Sequence, residues 1–276
     1  TIAPMGYMIL FLMGIGTLIA WRKSSLENLI RNFKNPIIVA TILTVLLSFV
    51  FSGENLSWNV YTIFWLSIFV CLTIAIEIIK VIKIKSKQTK RSILMVFFYV
   101  CVQYPRRYGG LLIHFGVVLM FLGFAGTFFQ VEKNITLESG NSIQVGDYNL
   151  VLSKVDEFKV GNATHRAAIV EVFDKKGDLM KILKPAKSFY PTQPEPLTEV
   201  AIFRSFLEDL YLIFSSENIG EKVSVTLKVF INPLVGWAWM SLPIFTLGVG
   251  LCLIYRPKGL LTDEKIVREM FLSEKY

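Results

Sequence analysis

The chain has 276 residues, 53% of them hydrophobic and only 18% charged, with a net charge of +8 and a mean hydropathy of +0.54. Soluble domains carry about 25% charged residues, so an ordinary water-soluble enzyme is excluded. So are a disordered chain, by the 13% aromatic content, and a nucleic-acid reader, since no Lys/Arg stripe is interleaved with aromatics. The apolar residues come in blocks, the pattern of a membrane protein with one soluble insert. The first residue is Thr rather than Met, so a fragment, a processed product or a subunit numbered from an internal residue is expected.

Five segments suit a bilayer crossing of about 20 residues: 3–20, 36–52, 59–79, 109–129 and 234–255. The second is short and needs local thinning or packing to span. The fifth contains Pro243, which should kink it unless neighbours satisfy the freed carbonyl. Lys and Arg set the orientation. Segment 21–35 holds Arg22, Lys23, Arg31 and Lys34 against Glu27. Segment 80–107 holds Lys80, Lys83, Lys85, Lys87, Lys90, Arg91, Arg106 and Arg107 and no acid. The C-terminal segment opens Arg256-Pro-Lys258, whereas 52–58 has only Glu54. With five crossings all three basic segments face the cytoplasm (or an organelle matrix), and the N-terminus and residues 130–233 face out.

Residues 92–104, SILMVFFYVCVQY, are apolar but short, with basic flanks at both ends. Gln88, Ser92, Tyr99 and Gln103 fall near one helical face. An amphipathic helix near 88–104 lying in the inner interface is expected, with a buried core helix as the alternative. Residues 130–233 change character, with twelve basic and fourteen acidic residues, net −2. Alternating runs at 149–153, 167–173 and 222–230, with turns at Val145-Gly-Asp-Tyr148 and Asp174-Lys-Lys-Gly-Asp178, predict a small antiparallel β-domain of six to eight strands. The fold class is thus an α-helical membrane protein, with about five transmembrane helices plus the interfacial helix, and an extracytoplasmic antiparallel β-domain inserted before the last helix. The expected organisation is helices in 1–129, the β-domain in 130–233, the last span in 234–256 and a cytoplasmic tail in 257–276.

Chemistry-bearing residues are few. The three cysteines, Cys71, Cys101 and Cys252, sit in apolar runs and form neither a disulfide framework nor a CxxC site. Of two histidines, His114 lies about 7–8 Å inside the fourth span. A lipid-facing imidazole is costly at that depth, so it should meet protein or a bound group. It suits a haem-iron axial ligand, or a hydrogen bond to a neighbouring helix. Gly109, Gly116 and Gly123 recur every seven residues and allow close approach of a helix or a flat macrocycle. His165, in a polar stretch, reads as a surface histidine. Glu77 reads as snorkelling towards nearby lysines. Adjacent residues of a strand face opposite ways, so Glu208 and Asp209 are no catalytic dyad. Trp237, Trp239 and Tyr255 suit interface anchors. No Walker, GxSxG, HExxH or Rossmann pattern occurs in a supporting context.

Several stretches resemble the CcmF family of cytochrome c-type biogenesis haem lyases and its relative NrfE. Pro105-Arg-Arg-Tyr-Gly-Gly-Leu-Leu-Ile-His-Phe-Gly, running on to Gly123, is similar to that family's RRYGG…HxG…G helix. Glu199-Val-Ala-Ile and Leu207-Glu-Asp-Leu-Tyr resemble its EVAI…LEDLY segment. Asn232-Pro-Leu-Val-Gly-Trp-Ala-Trp resembles its NPLVxWxW approach to the last span, and Gly14-Ile-Gly16 with Trp21-Arg22 its GIG…W[RK] helix end. The resemblance implies a membrane enzyme that takes haem from a haem chaperone and attaches it to the CxxCH motif of apocytochrome c outside the membrane. It also implies a haem b within the membrane, with His114 as one of its two axial iron ligands. Arg106 and Arg107, at the inner surface, could pair with haem propionates, although phospholipid headgroups and the positive-inside bias are the favoured reading of both.

The family's tryptophan-rich WWD segment and its flanking histidines have no counterpart here. Trp21, Trp58, Trp65, Trp237 and Trp239 are scattered, and the second haem b ligand is missing. The chain therefore resembles the family's C-terminal half, a split or truncated subunit of the bacterial cytoplasmic membrane with its β-domain on the periplasmic side. It should be inactive alone and need a second haem lyase subunit that carries the WWD segment and the other ligand. The alternative is a membrane-anchored scaffold or sensor whose β-domain binds a protein and which holds no cofactor.

Overall fold

The computed structural model describes residues 2–18, 26–50, 57–89, 92–219 and 223–254. It contains two compact units, Thr1–Leu122 with Trp239–Tyr276, and Gly123–Ala238. The expectations for Trp21-Arg22, Lys23, Glu54, Lys90, Arg91, Tyr255 and the 257–276 tail lie outside the described residues.

The helical elements are α1 (Ile2–Leu18), α2 (Leu26–Val50), α3 (Trp58–Thr89), α4 (Ile93–Gln103), α5 (Pro105–Ala125) and α6 (Val235–Ile254). Among the described residues four helices are long and apolar enough to cross a bilayer: α2 from Phe33, α3, α5 with its extension to Phe129, and α6. The 17-residue α1 is equally apolar but falls just short, so the five expected crossings become four and a shorter helix. The second helix also starts ten residues before the expected segment and runs through Pro36. Its first turns are polar, so hydrophobicity did not mark them. At about 1.5 Å per residue, the 32 residues of α3 exceed a 30 Å hydrocarbon layer. The surplus carries Lys80, Lys83, Lys85 and Lys87.

Phe69 is the centre of the helical core, 1% exposed. Trp65 stacks on it at 5.7 Å and 8°, and Phe11 and Phe33 approach at 6.4 and 6.2 Å. A Cβ on Gly14 would stand 2.3 Å from this ring, so the first glycine of the Gly14-Ile-Gly16 stretch is a packing requirement; Gly16 faces open space. Two polar contacts pin the helices: Tyr7 donates to Asn59 Oδ1 at 3.0 Å, and Trp65 Nε1 to Thr41 Oγ1 at 3.0 Å.

α4 is shorter than the amphipathic helix expected near 88–104. Gln88 belongs to the last turn of α3, and Ser92 is the N-cap, accepting from Met95 N, so only Tyr99 and Gln103 of the four polar residues lie within it. Ile93, Leu94, Met95, Phe98 and Val102 are exposed while Val96 and Val100 are buried, so its outer surface is mostly apolar.

The second unit is a β-sandwich of ten strands among the described residues: β1 (Val131–Glu138), β2 (Ser142–Val145), β3 (Tyr148–Val160), β4 (Ala163–Phe173), β5 (Leu179–Leu183), β6 (Ala186–Phe189), β7 (Leu197–Glu199), β8 (Ala201–Arg204), β9 (Glu208–Ile219) and β10 (Val223–Pro233). One sheet runs β1-β10-β9-β8, the other β2-β3-β4-β6-β7 with β5 also on β4, and all pairings are antiparallel. Three of the long strands, β3, β4 and β10, hold the runs the alternation predicted, whereas the 12-residue β9 lies outside them. The excess over six to eight comes from β5 to β8, of three to five residues each, too short to show a period. Both expected turns form, with Gly146 (φ 60) and Gly177 (φ 90) in the left-handed region. Asp174 Oδ1 accepts from Lys176 N and Asp178 N at 2.8 and 2.9 Å, and these backbone donors lower its carboxyl pKa.

Leu150, Leu152, Val170, Val172, Leu210, Leu212, Phe214, Val225, Leu227 and Val229 fill the sandwich. Since Val131 pairs with Ile231, the chain enters and leaves at one end. There Gly126, opening a short 3-10 turn (Gly126–Phe129), lies against Pro233, and Leu234 takes a left-handed φ of 62°.

Glu208 and Asp209 diverge as expected of strand neighbours. Glu208 lies beside the Tyr148 hydroxyl, whose pKa is raised by burial and then by that carboxylate. Asp209 is fully buried, with neither oxygen hydrogen-bonded. Burial raises its pKa, and Arg204, opposite in register, offsets only part of this. A folded-state pKa above the unfolded value of about 4 stabilises the fold below that value and is lost as pH rises through the folded pKa. Asp209→Asn should therefore raise the melting point of the β unit at pH 7, by about 1 kcal/mol in stability, and leave it unchanged near pH 3. Melting followed by circular dichroism at the two pH values tests this; equal effects at both would refute it.

Candidate functional site

The site is built on α5. Pro105 opens it at a position where a missing N–H costs nothing. Residues 109, 116 and 123 form one stripe at helical spacing, and all three glycines meet α6. A Cβ on Gly109 would stand 2.8 Å from the Gly248 carbonyl, one on Gly248 2.8 Å from the Gly109 carbonyl, and one on Gly116 3.2 to 3.4 Å from Ser241 and Phe245 backbone. The seven-residue glycine spacing is a helix-packing device. Cys252 Sγ reaches the Arg106 carbonyl at 3.6 Å along the same contact.

His114 is five residues from Gly109, roughly 140° round the helix, so it does not share the glycine stripe. It stands between buried Leu111 and Val118 and exposed Phe115. Its ring is half-buried, and Nδ1 is buried with no hydrogen-bond partner. The neighbouring-helix hydrogen bond expected as the alternative to an iron ligand is therefore absent at this nitrogen.

Arg107, seven residues before His114, lies on the same stripe; Arg106 is about 80° away. Both are exposed. Arg107 Nη2 donates to Glu77 Oε1 of α3. Glu77 thus pairs with an arginine of another helix, where the sequence suggested snorkelling towards lysines, and Arg107 is already engaged. The sequence could not show this pairing because the partners are 30 residues apart. An apolar cavity of about 420 Å³ lies on another side of α5, lined by Cys71, Ile78, Phe97, Cys101, Tyr108 and Leu251 among others. His114 does not line it.

In the β unit, His165 departs from the surface histidine expected. Its side chain is only 12% exposed, Nδ1 is 2.7 Å from Ser188 Oγ and 3.3 Å from Glu199 Oε1, and Phe158 stacks on the ring at 5.3 Å. Trp237, expected as an interface anchor, donates from Nε1 to the Phe206 carbonyl at 3.2 Å, and its ring lies 6.0 Å from that of Phe206. Trp239 is half-exposed. The three cysteines are free.

Apolar helices long enough to span a bilayer, with an antiparallel sandwich inserted before the last of them, define a multi-pass membrane protein with a β-domain. The family model for the CcmF C-terminal β-sandwich matches residues 128–233. The chain is 33% identical over 150 residues to the cytochrome c-type biogenesis protein ccl1 of Rhodobacter capsulatus, covering 54% of this chain and 22% of that protein. It is 25% identical to the cytochrome c-type biogenesis protein CcmF of Haemophilus influenzae over 89% of this chain and 36% of that protein. The Escherichia coli protein of that name is also 25% identical, over 88% and 35%. The solved structure of a cytochrome c heme lyase CcmF shares the fold, at a TM-score of 0.66 and 24% identity, over 91% of this chain and 39% of that one. Residues 128–233 thus match the CcmF C-terminal β-sandwich, and these likenesses together support a resemblance of the chain to the C-terminal half of CcmF proteins. It spans about a third or less of the length of these curated relatives.

Proposed function

We propose that this chain is part of a cytochrome c haem lyase and supplies, through His114, one axial ligand to a haem b held within the membrane. The observation that carries the reading is the His114 ring: half-buried on a membrane-length helix, its Nδ1 without a partner, and placed where lipid contact is costly. An imidazole in that position fits iron ligation. A bound haem b supplies an iron that stores and passes on one electron.

The chain's own residues do the rest. His114 binds and orients through its imidazole. The Gly109–Gly248 crossing fixes α5 against α6 and so sets where the imidazole stands. Leu111 and Val118 exclude water from its flanks. Glu77 compensates Arg107 beyond the inner end of the stripe, leaving Arg106 the freer of the two arginines for a propionate. The only other histidine, His165, sits in the β unit, so the second axial ligand comes from another polypeptide segment. His114 and that segment, holding one haem between them, would make it part of their interface.

The reading places the chain in the bacterial cytoplasmic membrane. The β unit is then periplasmic, α4 lies near the inner surface, and the partner is a lyase subunit or segment carrying the tryptophan-rich haem site. Haem chaperone and apocytochrome c meet the assembly on the outer side. The test is co-purification of the full chain with its partner in detergent. A Soret band that shifts on reduction is expected. A colourless complex with intact helices would replace the reading with that of a protein-binding scaffold. A second expected result concerns topology: crosslinkers placed on the β unit should capture outer-side proteins, and capture of cytoplasmic proteins alone would contradict it.

A further inference from the structure

The antiparallel register of the β unit lays Phe158, His165, Ser188 and Leu197 in one row across four strands. Val160 shares the face of Phe158, two residues on. Phe158, Val160 and Leu197 are 47%, 60% and 52% exposed, although all are apolar. His165 stands among them as the one imidazole, its ring plane fixed by Phe158 at an interplanar angle of 9°.

The polar partners all meet one nitrogen. Nδ1 faces Ser188 Oγ and Glu199 Oε1, and Ser188 Oγ also donates to Glu199 Oε1. This is not the geometry of a nucleophile triad, in which hydroxyl and carboxylate address different ring nitrogens, and Ser188 is wholly buried. A carboxylate beside Nδ1 favours a proton there and leaves the lone pair on Nε2. Among the described residues Nε2 takes no hydrogen bond, and it is not one of the buried orphan atoms. The arrangement matches the outer partners of metal-bound histidines, which fix the tautomer and ring orientation.

A bare metal ion typically needs three or more protein donors, and no group of three His, Cys, Asp or Glu suited to one exists among the described residues. A planar iron macrocycle brings four donors of its own and needs only an axial imidazole and apolar surface alongside. We propose that His165 Nε2, within the Phe158–Val160–Leu197 apolar rim, is a second haem-iron contact of this chain, on the β unit and separate from His114. Glu199 and Ser188 are its positioning residues. The inference rests on the haem-handling reading above, but on different residues.

The test uses the full chain in detergent carrying His114→Ala, titrated with ferric haem and followed at the Soret band. A band shift typical of imidazole ligation is expected. His165→Gln, which keeps a polar partner for Ser188, should abolish it with the β unit still folded by circular dichroism. Glu199→Gln should weaken binding about tenfold. No shift in the His114→Ala chain, or the same shift with and without His165→Gln, overturns the proposal. So does tighter binding of zinc alone than of haem. Pigment in the wild-type complex reports on His114 separately, so the two readings fail independently.

Discussion

His114→Ala is expected to abolish the Soret band of the complex purified with its partner, while the helices stay intact. On the proposed ligation, loss of His114 would leave the iron one protein donor short, and the chain has no other histidine within the helical unit to replace it. The fold should tolerate the change, because the ring is half-buried and its Nδ1 makes no hydrogen bond that would be lost. His114→Met, which offers a thioether, should retain some haem with an altered potential. Absorbance per mole of complex is the measurement. An undiminished band in a folded His114→Ala complex would remove this residue from the haem.

The second large effect is expected at the neck of the β unit. A Cβ on Gly126 would fall 1.8 Å from the Pro233 carbonyl oxygen and 2.9 Å from its carbon. Both atoms are backbone, where the chain enters β1 and leaves β10, and neither can rotate aside. Gly126→Val should therefore part the first turn from the last strand and destabilise the β unit by about 3 kcal/mol or more. Gly140→Ala is the contrast, since nothing lies within 4 Å of its Cβ and only its φ of 86° is strained. That variant should cost about 1 kcal/mol. Limited proteolysis and thermal melting of the full chain compare them; equal tolerance at both positions would contradict the close approach.

How far the sequence could be read depended on the range of each signal. Membrane helices declare themselves through apolar runs, and the long strands β3, β4 and β10 through alternation. The polar start of α2 and the short strands β5 to β8 carry no such periodicity, so they were missed. The glycine spacing on α5 announced a close neighbour, but only the fold shows that Gly109 and Gly116 meet α6. The imidazole of His114 stood out because polar groups are rare in such a run. His165 did not: its partners Ser188 and Glu199 lie 23 and 34 residues away and arrive through strand register. Gly126 is likewise unremarkable in sequence, since its constraint comes from Pro233 more than a hundred residues later. The family resemblance reached His114 through local motif spacing and was silent on contacts made across sheets.

An experimental density map of the pigmented complex tests most directly whether a single imidazole on α5 grips iron together with a ligand from elsewhere in the assembly. The account requires macrocycle density centred on an iron bonded to the His114 ring, with a second histidine on the opposite face contributed by residues outside this chain. A pigmented complex in which the His114 ring touches only side chains or lipid would contradict it.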